Sequence, residues 1–145
     1  MEHMHAHIEV KKNGKWHHFA APSIKPDYIL YAIATGHEKE YLRYGDRIQP
    51  VSRIHNNPKD ISDVTWDCLN HDMCSRGVTD INTLESNDIK TLQEKLYEYY
   101  SWIEPSDNSH LNLEHSIFHT YINGEKLHLH KGFDDVRIII WYTPS

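Results

Sequence analysis

Cysteine, proline and glycine are scarce in this chain, and so are long apolar runs and positive charge. Two cysteines, Cys68 and Cys74, are too few for a disulfide-stapled scaffold. Their spacing fits neither a Cys-x-x-Cys redox pair nor a zinc knuckle, and on one helix it would rotate the thiols by about 600°. Reduced, partly buried thiols in a cytoplasmic protein are therefore expected. Six prolines and six glycines exclude fibrous and low-complexity chains. No run approaches the roughly 18 apolar residues of a membrane span; the longest, Val136 to Tyr142, is interrupted by Arg137. The polar, histidine-rich start from Met1 to Glu9 is unlike a secretory leader. Lys and Arg total 15 against 21 Asp and Glu, a net charge of −6. No basic cluster offsets this, which argues against nucleic acid as a partner, because such binding runs on phosphate neutralisation.

What is present is enough for one domain over residues 1–145, with Met1 to His3 reading as an expression scar ahead of a start at Met4. The chain is 39% hydrophobic, 25% charged and 11% aromatic, within the range of globular proteins. Histidine stands out, at 13 of 145 residues.

Alternation from His5 to Lys12, the Asn13-Gly14 pair and a return from Lys15 to Ala20 predict a β-hairpin with a two-residue turn. The turn sets the register: Lys12 opposite Lys15, Val10 opposite His17, Glu9 opposite His18, and Ile8 opposite Phe19. One face then carries Ile8, Val10, His17 and Phe19. The other carries His5, His7, Glu9, Lys11, Trp16 and His18. Asp27 to Thr35 reads as a short helix closed by Gly36. Residues 37–59 read as a long polar loop, and loops of that length inside a domain are usually functional or mobile. Asp60 or Ser62 can cap a second helix through about Met73. Gly77 to Asn82 reads as a connection. Thr83 or Ser86 can cap a third helix, in which Ile89, Leu92, Leu96, Tyr99 or Tyr100, and Ile103 recur at helical spacing before Pro105. A second Asn-Gly pair, Asn123-Gly124, predicts a hairpin over 115–130, with His119 opposite His128. Val136 to Tyr142 is apolar on both sides apart from Arg137, the pattern of a central strand covered on both faces.

These elements predict an α+β fold: a single antiparallel sheet of about five strands, with about three helices on one face. The helices would cover Ile8, Val10, Phe19, Phe118, Leu127 and Leu129. The histidine-bearing side would stay open.

Two constellations on that open side could carry chemistry. Trp16 and His18, with Arg137 and Trp141, could stack a flat ring and attract an anion. His119, His128 and His130 could share zinc or another divalent metal, since opposed strand residues have Cβ atoms roughly 4.5–5.5 Å apart. No phosphate-binding glycine loop, nucleophile elbow or His-Glu-x-x-His is present, so no catalytic residue is assigned. Arg137, in a covered strand, must pair with a carboxylate or an anionic ligand.

The pieces Ile8-Glu9-Val10-Lys11, Asn13-Gly14-Lys15-Trp16-His17-His18-Phe19, Asp27-Tyr28-Ile29-Leu30-Tyr31-Ala32, Asp60-Ile61-Ser62, Thr83-Leu84-Glu85 and Asp135-Val136-Arg137 through Trp141-Tyr142 run in order along most of the chain. In these the sequence resembles a family of small uncharacterised phage and bacterial proteins. That family commonly carries Gly-His-Ser before its Thr-Leu-Glu, where this chain has Arg76-Gly77-Val78-Thr79-Asp80. The resemblance implies a setting, a phage- or mobile-element-type accessory protein in the host cytoplasm, and not a reaction. Three functions follow. The first is a non-enzymatic protein binding a small anionic ligand, such as a nucleotide signal sequestered to counter host defence, or a host protein. The second is a metal-dependent hydrolase using the histidine cluster. The third is an acidic interaction or inhibitor module. The histidine excess also predicts homo-oligomer association sensitive to pH.

Overall fold

The computed structural model describes residues 2–24, 26–103 and 132–144. Among these, three helices and one four-stranded antiparallel sheet make an α+β fold. The first hairpin is β1, His3–Lys12, and β2, Lys15–Ala20. Asn13 and Gly14 both take positive φ, at 54° and 78°, as the twist-matched two-residue turn requires. Lys12 pairs with Lys15, Val10 with His17 and Glu9 with His18 as expected; a bulge after Ile8 then places Ala20, not Phe19, opposite Ile8.

The first helix, α1, spans Tyr28–Thr35. Asp27 caps it by accepting the N–H groups of Ile29 and Leu30, and Gly36 closes it in the left-handed conformation. Residues 37–59 hold two single 3-10 turns, Lys39–Tyr41 and Gly45–Arg47, and one isolated bridge, Ile54 to Thr83. The second helix, α2, is Asp63–Ser75 with Ser62 at its cap position. The third, α3, is Ser86–Ile103, and buries Ile89, Leu92, Leu96 and Tyr99.

Two departures from the sequence reading shape the molecule. Residues 79–85, expected as a connection leading into a helix, form a strand instead. This strand, β3 (Thr79–Glu85), pairs antiparallel with β4 (Asp135–Thr143), giving the order β2-β1-β4-β3. A register irregularity between Thr79 and Asn82 breaks the alternation that would have announced it. The expected 115–130 hairpin, with Phe118, His119, Leu127, His128, Leu129 and His130, lies outside the described residues.

Second, the helices do not share one face. Successive strand residues point to opposite sides, and β4 is apolar on both. Val136, Ile138, Ile140 and Tyr142 join Met4, Ala6, Ile8 and Val10 in a core with α1 and α3. Ile139 and Trp141 face the other way, onto Leu69 of α2, with Ile61, Val78 and Ile81 around them. The side expected to lie open is thus roofed by α2. On the edge strand β2 the consequence is inverted: Trp16 and His18 are half-buried beneath the segment entering α2, whereas His17 and Phe19 are exposed. Phe19 meets Phe133 edge-on at this rim.

Candidate functional site

The roofed face begins with a buried carboxylate. Glu9 is fully buried in the middle of β1, directly opposite Arg137 of β4. The guanidinium donates to Glu9 Oε1 through Nε at 2.8 Å, with Nη2 at 2.7 Å from the same oxygen. Its other edge holds Asp60, Nη1 donating to the carboxylate at 2.8 Å and Nη2 to the backbone oxygen at 3.1 Å. Glu9 Oε2 in turn accepts the Ser62 N–H at 2.9 Å. One buried Arg–Glu pair therefore fixes the chain where it enters α2. The hydrogen bond from Arg137 holds the Asp60 carboxyl below its ordinary pKa.

Trp16 lies across this group, with the Arg137 guanidinium carbon 3.9 Å from its ring centroid and Lys11 Nζ at 5.7 Å. Arg137 thus serves as a floor under the indole, with carboxylates at both edges of its fork.

Further along the same face, imidazoles stack on a buried indole. Trp141 has no exposed surface and donates its Nε1–H to Asp72 of α2 at 2.9 Å. His7 is stacked on Trp141 at 4.5 Å and His5 at 6.1 Å. His7 Nδ1 is hydrogen-bonded to His18 Nε2 at 3.2 Å. Burial, reinforced by the charges of His18 and His5, pushes the His7 pKa down to about 4. Burial also lowers the pKa of His18 and of His5. At neutral pH this row is uncharged, with one ring nitrogen of each imidazole protonated.

Beside Trp16 and His18 the face opens into a cleft of about 380 Å³, walled by Lys15, His17 and residues 60–64. The 13-residue α2 starts here, and Ser62 makes no side-chain cap to its amides; its hydroxyl is bonded to that of Thr65 instead. The first-turn N–H groups, which have no partner within a helix, thus go without a side-chain cap where residues 62–64 line the cleft.

No family model, curated protein or solved structure matches the chain.

Of the four residues singled out from sequence, all lie on one side of the sheet, and the structure splits them by depth. Trp16 and His18 line the cleft, Arg137 lies under Trp16, and Trp141 is sealed beneath His7. The neighbouring Asp134 and Asp135 do not hold Arg137: Asp134 accepts the Asn13 N–H and Asp135 the Val136 N–H. Asp60, read only as a possible helix cap, and Asp72 were not anticipated as partners of this face, because nothing local marks a residue as the partner of one 77 or 69 positions away. The alternative metal residues His119, His128 and His130 lie outside the described residues. Both cysteines are free and exposed, not partly buried, since α2 turns Leu69 and Thr65 inward instead.

A second, larger cleft of about 540 Å³ lies at the far end of the molecule. Thr35, His37, Glu38, Glu40, His55 and Asp80 are among its lining residues. The long 37–59 segment, read as a loop of the kind that carries function, supplies most of these groups. His37 within it was not singled out.

Proposed function

We propose that this protein is a non-enzymatic binding module whose ligand is small, flat and anionic, a nucleotide being the concrete form. The observation that carries the reading is the cleft in which Trp16 and His18 face the uncapped start of α2. An indole offers a stacking surface to a heterocycle, worth about 1–3 kcal/mol for a nucleobase. Helix-start amides and the Lys15 ammonium suit a phosphate. Asp63 in the first turn opposes that charge, so the phosphate belongs on the Lys15 side of the cleft. Trp16 and His18 are the contacting residues. Arg137 and Trp141 are positioning residues, the first acting through Trp16 and the second through His7 and His18. The resemblance to small phage and bacterial proteins supports the accessory setting in a host cytoplasm, where sequestering a nucleotide signal would blunt a defence response. No helix among the described residues is long and apolar enough to cross a membrane, which is compatible with that setting.

A melting-temperature screen over mono-, di- and cyclic nucleotides tests the reading. A binder held at a hundredfold its Kd stabilises the folded state by about 2.7 kcal/mol, a rise of several degrees. Trp16→Ala is expected to weaken binding about 10- to 100-fold and to abolish the shift. If every nucleotide leaves the melting temperature unchanged, the reading fails.

A further inference from the structure

The far cleft owes nothing to the nucleotide reading. At its edge stands His37, whose side chain is only 5% exposed and lies flat against Tyr142, ring centroids 4.0 Å apart and planes within 6°. Stacking fixes the ring, and two carboxylates address its two nitrogens. Asp80 is hydrogen-bonded to Nδ1. Glu2, within the segment that the sequence suggested as a scar, is held in the fold by the Tyr31 hydroxyl, which donates to its backbone oxygen at 3.3 Å. It faces Nε2 at ion-pair range, yet Glu2 Oε2 and His37 Nε2 are both sealed from solvent and form no hydrogen bond.

With its Nδ1 proton given to Asp80, the imidazole presents a lone pair at Nε2. A lone pair against a carboxylate oxygen is repulsive unless a cation lies between them. A proton there would favour a straight hydrogen bond; a metal ion accepts an angled approach from each donor. A third donor is in place, because ligand atoms of Glu2, His37 and Glu38 lie within 4.8 Å of one another. Asp80 then has the part that carboxylates commonly take behind metal-bound histidines, fixing the tautomer through the other ring nitrogen.

The backbone is bent to make this arrangement. Glu38 and Asp80 both hold positive φ, 54° and 50°, unfavourable for residues with a Cβ. Asp80 sits in the β3 irregularity, which turns its side chain out of the ladder and toward His37.

We propose that Glu2, His37 and Glu38 form a site for a divalent first-row metal, with Asp80 as the positioning carboxylate. One imidazole and two carboxylates suit manganese or zinc. Because His37 and Glu38 also line the cleft, the ion would keep coordination positions open toward it for water or a small oxyanion.

Surface histidines can hold zinc adventitiously, so the decisive probe is Mn²⁺. Protein purified without a polyhistidine tag, stripped with chelator and dialysed, is titrated with Mn²⁺ while free ion is read by electron paramagnetic resonance. One equivalent is expected to bind. His37→Gln should remove the site, Asp80→Asn should weaken it about 10- to 100-fold, and His17→Gln, an exposed control, should leave it intact. Should His37→Gln fail to fold, Glu38→Gln on the surface turn gives the answer through at least a tenfold loss. Absence of a stoichiometric site, or equal uptake by wild type, His37→Gln and Glu38→Gln, would overturn the proposal and leave His37 as a side chain held between two carboxylates.

Discussion

Removing a carboxylate from water is tolerable only if each oxygen finds a strong partner. Glu9 meets that condition with the Arg137 fork on one oxygen and the Ser62 amide on the other. Asp60, on the outer edge of the same guanidinium, has a side chain 67% exposed and can exchange its partner for water. The two acids should therefore behave very differently when removed. Glu9→Ala leaves a buried guanidinium half-paired and strands the Ser62 N–H, and is expected to lower stability by about 3–5 kcal/mol. Asp60→Ala should lower it by under about 1 kcal/mol. Urea unfolding of the two variants checks the contrast, and equal losses would show that burial does not set the value of this pair. Part of this was legible beforehand: a charged residue in a run apolar on both sides had to be paired. Which carboxylates pair with Arg137 was not, because Glu9 and Asp60 come from distant segments brought together by strand pairing and by the entry into α2.

Helices and strands were legible to different degrees, for reasons local to each. For α1 the closing Gly36 was legible in the chain itself and does end the helix, whereas Asp27, read as its first residue, proves to be its cap. Gly36 has a second constraint: a Cβ there would lie 2.9 Å from Pro50 Cγ, whereas one on Gly77, at nearly the same φ, would meet nothing within 4 Å. Gly77→Ala should therefore cost only the left-handed strain of about 1–2 kcal/mol, and Gly36→Ala distinctly more. Thermal unfolding of both variants tests this, and identical losses would mean that Pro50 gives way freely. In α3 the apolar spacing and the charged outer side marked the helix and its buried residues together. By contrast, β3 was hidden. Its residues Thr79-Asp80-Ile81-Asn82 lack clean alternation because the irregularity adds a residue and swings Asp80 aside. The hydrogen bonds offered by the edge of β4, with the Ile54–Thr83 bridge on the other side, make a strand of it.

At the scale of the molecule, the placement of α2 decides the chemistry of the histidine row. Expected in water, His7 instead lies between Trp141 and His18 and is almost wholly buried. Its folded pKa of about 4 is below the roughly 6.5 of an unfolded histidine. Between these values the unfolded chain binds more protons than the native one, so stability is greatest above about pH 6.5 and declines as pH falls toward 4. For His7 alone the loss is on the order of 3 kcal/mol by pH 4, with the lowered His5 and His18 adding in the same direction. Urea unfolding from pH 7 to 4.5 should show this decline, flattened in His7→Phe; an unaltered slope in that variant would show that His7 stays solvated. The sequence by itself determined the hairpin register up to Glu9, the three helices, the central position of β4 and the sharing of one hairpin face by Trp16 and His18. All of these follow from turn chemistry and residue periodicity, which act over a few positions. Only the tertiary structure decided that α2 covers that side, that Glu9 and Asp60 share Arg137, and that His37 meets Glu2 and Asp80. Those outcomes depend on which distant surfaces exclude water together, and periodicity says which side of an element is apolar without saying what will lie against it.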